Sequence, residues 1–217
     1  MAELIFDYTA CVVSGGAELI SRIESAAAEY SPLCGEYFGY LYAKRGKKGE
    51  AFVESACGFL LLDNLLKKNG VDRSEVAISR NSDGRPCVIN RSDIDFSISH
   101  SEGAAFCCVA IGENARVGAD IQRARNYSRE YLEQLARTFM SKSQLESFLV
   151  SSSREKYFYT AWTDREAAYK RCGSYHGVTE ESDGASAQGE FANGIITACG
   201  NRYYYSISLP ERTGLGE

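Results

Sequence analysis

The sequence predicts an α+β fold, and three observations lead there. Strand-like runs follow one another with only turn signals between them. The helical patterns are long and few. No glycine-rich phosphate loop of the kinds that open a parallel, doubly wound sheet is present. At 217 residues the chain has room for one large domain or for two of about 100 residues each. Hydrophobic residues at 44% and charged residues at 24% exclude a disordered or fibrous class.

Taken in order, the first strand is expected at Leu4–Val13, broken by Gly15-Gly16 and followed by an alanine-rich helix over Ala17–Tyr30. After the basic cluster Lys44, Arg45, Lys47 and Lys48, the spacing of Phe52, Ala56, Phe59, Leu60, Leu62 and Leu66 lays an apolar face along a helix over Glu50–Lys68. Asn69-Gly70 supplies its stop. Val76–Ser79 and Arg85–Ile89 read as short strands on either side of an Asp83-Gly84 turn. Phe96–Ser99 and Ala104–Ile111 are apolar strands around the polar corner His100-Ser101-Glu102-Gly103. Val117–Ile121 is a further strand after the Gly112–Asn114 turn. Helical pattern covers Arg129–Met140, Ser143–Val150 and, most clearly, Arg154–Arg171. A Gly/Ser-rich loop fills Glu180–Glu190. Strands close the chain at Gly194–Ala198 and Tyr203–Leu209, where alternating Tyr203, Tyr205, Ile207 and Leu209 suit a half-buried antiparallel pair. Each half thus offers a long helix and several strands, with the changeover near residues 100–112 and no sequence identity between the halves.

The net charge of -5 argues against a general nucleic-acid binder, which needs a clustered positive surface. Eight cysteines show neither CxxC nor zinc-finger spacing, and Cys107 and Cys108 would project to opposite faces of one strand. They read as reduced thiols. Glu3 and Asp7 stand where a signal peptide carries positive charge, and no apolar run approaches the ~18 residues of a bilayer span. The expectation is a soluble cytoplasmic protein that touches neither membrane nor nucleic acid.

Asp120 and Gln122 lie two apart at the end of a strand, so the pleat aims both to one side. Glu166 and Lys170 lie four apart on a helix and share a face. Either pair alone reads as an ordinary surface ion pair or as turn chemistry. The strings around them form a larger pattern: Phe96-Ser97-Ile98-Ser99-His100-Ser101, then Val117-Gly118-Ala119-Asp120-Ile121-Gln122, then Trp162-Thr163-Asp164-Arg165-Glu166-Ala167-Ala168-Tyr169-Lys170. In this order, with Asp83-Gly84-Arg85-Pro86 ahead of them, they resemble the signature of the 4'-phosphopantetheinyl transferase superfamily, specifically its longer, surfactin-synthetase-activating type. The resemblance covers residues 50–175 and is dense over 83–170.

The resemblance implies two similar α+β halves forming a pseudo-dimer within one chain, residues 1–105 and 106–217, the second half carrying the metal site. It implies transfer of 4'-phosphopantetheine from coenzyme A to a serine of an acyl, polyketide or peptidyl carrier protein, with magnesium as cofactor and 3',5'-ADP released. Asp120 and Glu166 are the implied metal ligands, joined by Gln122. Glu166 also helps to deprotonate the acceptor serine, and Lys170 contacts phosphate and supports the departing nucleotide. Coenzyme A contacts are implied at Arg85, Ser99, His100, Lys170 and Lys48, with Lys47 beside it. A single chain suffices for such a site.

Three departures stand out. Gln122 replaces the usual glutamate, which removes a negative charge but keeps a carbonyl oxygen able to bind metal. Arg85 and Arg165 replace lysines. The glycine-rich turn after the catalytic helix is reduced to Cys172-Gly173-Ser174-Tyr175. Arg123, Arg125 and Arg129 offer local positive charge for an acidic carrier, or simply a solvated turn and helix start. The alternative is a non-catalytic protein of the same fold that binds coenzyme A or a carrier, for which Gln122 is the one argument.

Overall fold

The computed structural model describes residues 4–12, 50–82, 84–173 and 189–210. The expected helix at Ala17–Tyr30, the basic residues Lys44, Arg45, Lys47 and Lys48, Asp83, Cys34 and the loop over 180–188 lie outside them. The chain divides into two compact units, residues 1–117 and 118–217.

In the first unit, β1 (Ile5–Val12) and β4 (Ile94–Ser101) flank β5 (Ala104–Ile111) in an antiparallel sheet of order β1-β5-β4. A small ribbon of β2 (Ile78–Arg80) and β3 (Pro86–Val88) precedes β4. Helix α1 (Glu50–Lys68) covers one sheet face. Its Val53, Ala56, Phe59, Leu62, Leu65 and Leu66 are buried with Ile94, Phe96, Ala105, Cys107 and Val109 in one cluster. Gly58 lets the helix approach the sheet, since a Cβ there would lie 2.3 Å from Ile98 Cγ2. The helix ends as the sequence predicts. Gly70 sits at φ +74° and donates to Lys67 O, while Val71 N reaches Leu66 O at 2.9 Å, the paired closure that satisfies the last carbonyls. Lys68 then ties the helix to β1 through Asp7 at 2.7 Å.

In the second unit, β6 (Gly118–Arg123) is followed by α2 (Arg129–Ala136), α3 (Lys142–Val150) and α4 (Arg154–Cys172), then by the hairpin of β7 (Glu190–Ala198) and β8 (Asn201–Leu209). The sheet order is β6-β8-β7. Ser128 caps α2, and Ser141 with Gln144 forms a reciprocal capping box on α3. Phe148, Phe158, Tyr159 and Tyr204 are buried with Leu132 and Met140 in this unit's own cluster. Trp162 meets Phe139 edge-on at 5.2 Å, so it packs the helix as a core aromatic. Residue 118 is where α4 lies on the sheet: a Cβ on Gly118 would stand 2.0 Å from Ala167 O and 2.6 Å from Arg171 N.

The two units share a topology. Each runs strand, long helix, then a hairpin whose last strand inserts in the middle of the sheet. The helix in each is 19 residues long. The α+β class and every strand and helix expected within the described residues are present, with ends shifted by a few residues. The expected boundary at 105/106 is corrected: it cuts β5, whose ladders to β1 and β4 both run on to Ile111. The alternation read into Tyr203–Leu209 is also corrected. β8 is the central strand and is buried on both faces, with Ser206 and Ser208 as deeply covered as Tyr203 and Ile207. Among the described residues no helix is long and apolar enough to cross a membrane.

Candidate functional site

β6 and β8 pair so that Asp120 faces Ser206, and β7 places Asn193 opposite Ser206 in turn. Directly opposed residues project to the same sheet face, so the three form a polar row across the strands. That row lies under α4. Thr163 Oγ1 is 2.6 Å from Ser206 Oγ, Asn193 Nδ2 donates to Ser206 Oγ at 2.7 Å and also to Asp164, and Arg171 Nε donates to Ser208 Oγ at 2.9 Å. Burial pushes the Asp164 carboxyl above the usual range, against the hydrogen bonds from Ser206 and Asn193.

At the β6 end of the row Lys170 Nζ lies 2.7 Å from Asp120 Oδ1, and Gln122 Nε2 lies 3.1 Å from Asp120 Oδ2. The carboxylate side chain is 3% exposed and the lysine 27%, so the pair is sunk in the protein but open to solvent at its cationic end. Glu166 stands one turn before Lys170 on α4, partly buried, and helical spacing keeps it on that face. Asp164, two residues before Glu166, turns instead to Asn193 on β7. The structure thus brings Asp120, Gln122 and Lys170 together, with Glu166 on the same helical face.

This donor set fits a hard divalent cation. Magnesium is commonly held by one or two carboxylates, with water and substrate phosphate completing the shell. Among the described residues no group of three or more His, Cys, Asp or Glu side chains is placed to hold a metal ion. Asp120 supplies one carboxylate, and turning the Gln122 amide would present its carbonyl oxygen beside that carboxylate.

Arg85, Ser99 and His100 lie in the first unit. Arg85 is committed inward. Its Nη2 reaches both oxygens of Asp95 at 2.9 Å, Phe96 O at 2.8 Å and Val117 O at 2.9 Å, while Asp95 Oδ2 accepts from Val117 N. Two hydrogens shared among four acceptors make this a clamp on the Val117 peptide. Among the described residues Arg85 makes no hydrogen bond through Nε or Nη1. His100 sits against α1, with Nδ1 3.1 Å from Glu54 Oε2 and Nε2 3.3 Å from Ser55 Oγ. Ser99 is buried on the opposite sheet face, as neighbours on a strand must be. Lys48 is outside the described residues. Arg165, aligned with a family lysine, donates to Phe139 O and lies over the Phe139 ring. Glu54 belongs to none of the sequence motifs; its one signal there is a carboxylate among the apolar neighbours Phe52, Val53, Ala56 and Phe59.

The second unit defines a class of site: an α+β unit in which a buried carboxylate meets a lysine where a strand end lies under a sheet-covering helix, groups of the kind suited to a divalent cation and to phosphate oxygens. A comparison with protein-family models finds no match to the chain. Among curated proteins it is 26% identical to 4'-phosphopantetheinyl transferase Sfp of Bacillus subtilis over 142 residues, 64% of this chain and 57% of that one. It is 31% identical to 4'-phosphopantetheinyl transferase HetI of a Nostoc species over 117 residues, 52% of this chain and 48% of that one. The chain is thus similar to 4'-phosphopantetheinyl transferases, the Sfp type among them, over half or more of its own length. It spans about half the length of the curated relatives it matches.

Proposed function

We propose that this protein transfers the 4'-phosphopantetheine group of coenzyme A to a serine hydroxyl of an acyl, polyketide or peptidyl carrier protein and releases 3',5'-ADP. The observation that carries the reading is the buried Asp120 carboxylate held by Lys170 and Gln122 on the unit whose helix also bears Glu166. The two curated relatives, both named as 4'-phosphopantetheinyl transferases, support it.

In this reading Asp120, Glu166 and the Gln122 amide oxygen would hold magnesium. A bound magnesium ion offsets negative charge on the pyrophosphate oxygens. Glu166 takes the proton of the serine hydroxyl, which is a poor nucleophile at neutral pH. The serine oxygen forms its bond to the phosphorus bearing the pantetheine arm, and the bond from that phosphorus to the bridging oxygen breaks. The electron pair leaves with 3',5'-ADP, and Lys170 meets the developing charge as a point cation. A single chain working in a reducing cytoplasm suits the absence of disulfides among the described residues. The shared strand and helix order of the two units supports an internal duplication.

The test is intact-protein mass spectrometry of purified apo carrier proteins incubated with this protein, coenzyme A and magnesium. The expected result is a gain of one phosphopantetheine on at least one carrier, abolished by chelation. Coenzyme A binding with no mass gain on fatty-acid, polyketide and peptidyl carriers alike would establish the non-catalytic alternative.

A further inference from the structure

The Glu54 side chain is 8% exposed and projects from α1 toward the β4–β5 hairpin. An ionised carboxylate is costly to bury without partners, and this one has two. Oε1 accepts from Gly103 N at 2.5 Å and Oε2 lies 3.1 Å from His100 Nδ1. The hairpin turn is formed by Glu102 and Gly103 at φ 38° and 89°, which turns the Gly103 N–H inward. An ionised carboxylate only accepts, so Nδ1 must carry its hydrogen, and the imidazole is fixed both in rotation and in tautomer. Nε2 then faces the Ser55 hydroxyl, and the histidine, 28% exposed, keeps an edge within reach of solvent.

We propose that Glu54 is a positioning residue: it anchors the β4–β5 turn and holds His100 by Nδ1, so that the imidazole can carry its second proton on Nε2 and meet a phosphate of coenzyme A as a cation. This rests on the functional reading above for its ligand, while the Glu54–His100 geometry stands apart from it. A carboxylate behind the ring stabilises the imidazolium, and a charge-assisted bond to phosphate is about twice as strong as a neutral one.

Glu54→Gln separates this from a purely structural part, because the amide keeps an oxygen for Gly103 N but presents N–H to His100. The ring must then accept at Nδ1 and move its hydrogen to Nε2. The chain has two histidines, so long-range nitrogen-15 imidazole spectra assign His100 by its loss in His100→Gln. The expected result is the Nδ1–H form in the parent and Nε2–H in Glu54→Gln. With an active protein, KM for coenzyme A should rise about five- to tenfold in Glu54→Gln with kcat within about twofold. The same substitution in a His100→Gln background should add nothing, since the effect acts through the ring. An unchanged tautomer, or an equal rise in KM in the His100→Gln background, overturns the proposal. A parent protein that transfers nothing overturns the proposed function instead, and the tautomer measurement still decides the Glu54–His100 relation.

Discussion

At Gln122 an amide stands where the family pattern has a carboxylate, and its N–H to the Asp120 carboxylate gives that replacement a physical meaning. Beside a buried negative group a neutral donor is stabilising, whereas a second carboxylate repels it unless a cation intervenes. Gln122→Glu is therefore expected to lower the melting temperature in chelator, to recover most of that loss on adding magnesium, and to reduce the magnesium needed for half-maximal transfer. Thermal scans with and without the ion, alongside a titration of activity, check it. An unchanged requirement would remove Gln122 from the metal shell. Asp120→Asn and Glu166→Gln preserve size and should each cost about 100-fold or more in kcat with folding retained by circular dichroism. Near-parental turnover in either would remove that residue from the site. The directions of both side chains are legible in the sequence because strand and helix spacings commit them. Ser99 and His100 show the same rule unheeded: adjacent strand residues cannot serve one face. Arg85 was legible as a cation, but its partner Asp95 lies ten residues away, and only packing joins them.

At the scale of elements, the seat of α4 on β6 is what sets Lys170 over Asp120. Gly118→Ala forces a methyl into backbone atoms of Ala167 and Arg171 that cannot rotate aside, so stability should fall by about 3 kcal/mol or more in urea denaturation. Gly200→Ala, which meets nothing within 4 Å but sits at φ +75°, should cost only about 1 kcal/mol. Equal losses would mean that contact with α4 is not what Gly118 serves. On the other side of the helix start, Tyr204 stacks on Tyr159 at 5.1 Å and donates to Glu155 at 2.9 Å. Burial, then the Glu155 hydrogen bond, pushes its phenol up to about 12. Folded and unfolded chains hold this proton alike below about pH 10. Above that the unfolded chain releases it first, so stability falls as pH rises toward 12. Tyr204→Phe should cost about 1 kcal/mol at neutral pH and flatten the loss between pH 10 and 12, read from alkaline denaturation curves. An unaltered alkaline limb would assign that loss to other tyrosines.

For the whole molecule, a net charge of -5 sets a condition on any acidic partner: docking must use a local positive surface against a repulsive background. Raising salt from low to several-fold physiological ionic strength should therefore raise KM for the carrier protein several-fold while kcat changes little. If KM is flat in salt, the contact is apolar and Arg123, Arg125 and Arg129 lose their suggested part. Arg123 already spends a guanidinium nitrogen on Asn201, whereas Arg129 is exposed. The repeat of strand, long helix and inserted hairpin in both units is a property of this scale too. It was invisible as sequence identity because topology constrains only where apolar residues recur, and many side chains meet that requirement.

The sequence by itself determined the α+β class, the strands and helices, and the shared faces of Asp120 with Gln122 and of Glu166 with Lys170, because period and spacing act locally along the chain. Tertiary structure decided the rest: that β8 is central and buried on both faces, that Arg85 turns inward to Asp95, and that Glu54 stands behind His100. Each depends on which distant segment packs alongside. A buried charge takes its role from the partner it is buried with, and no local pattern names that partner.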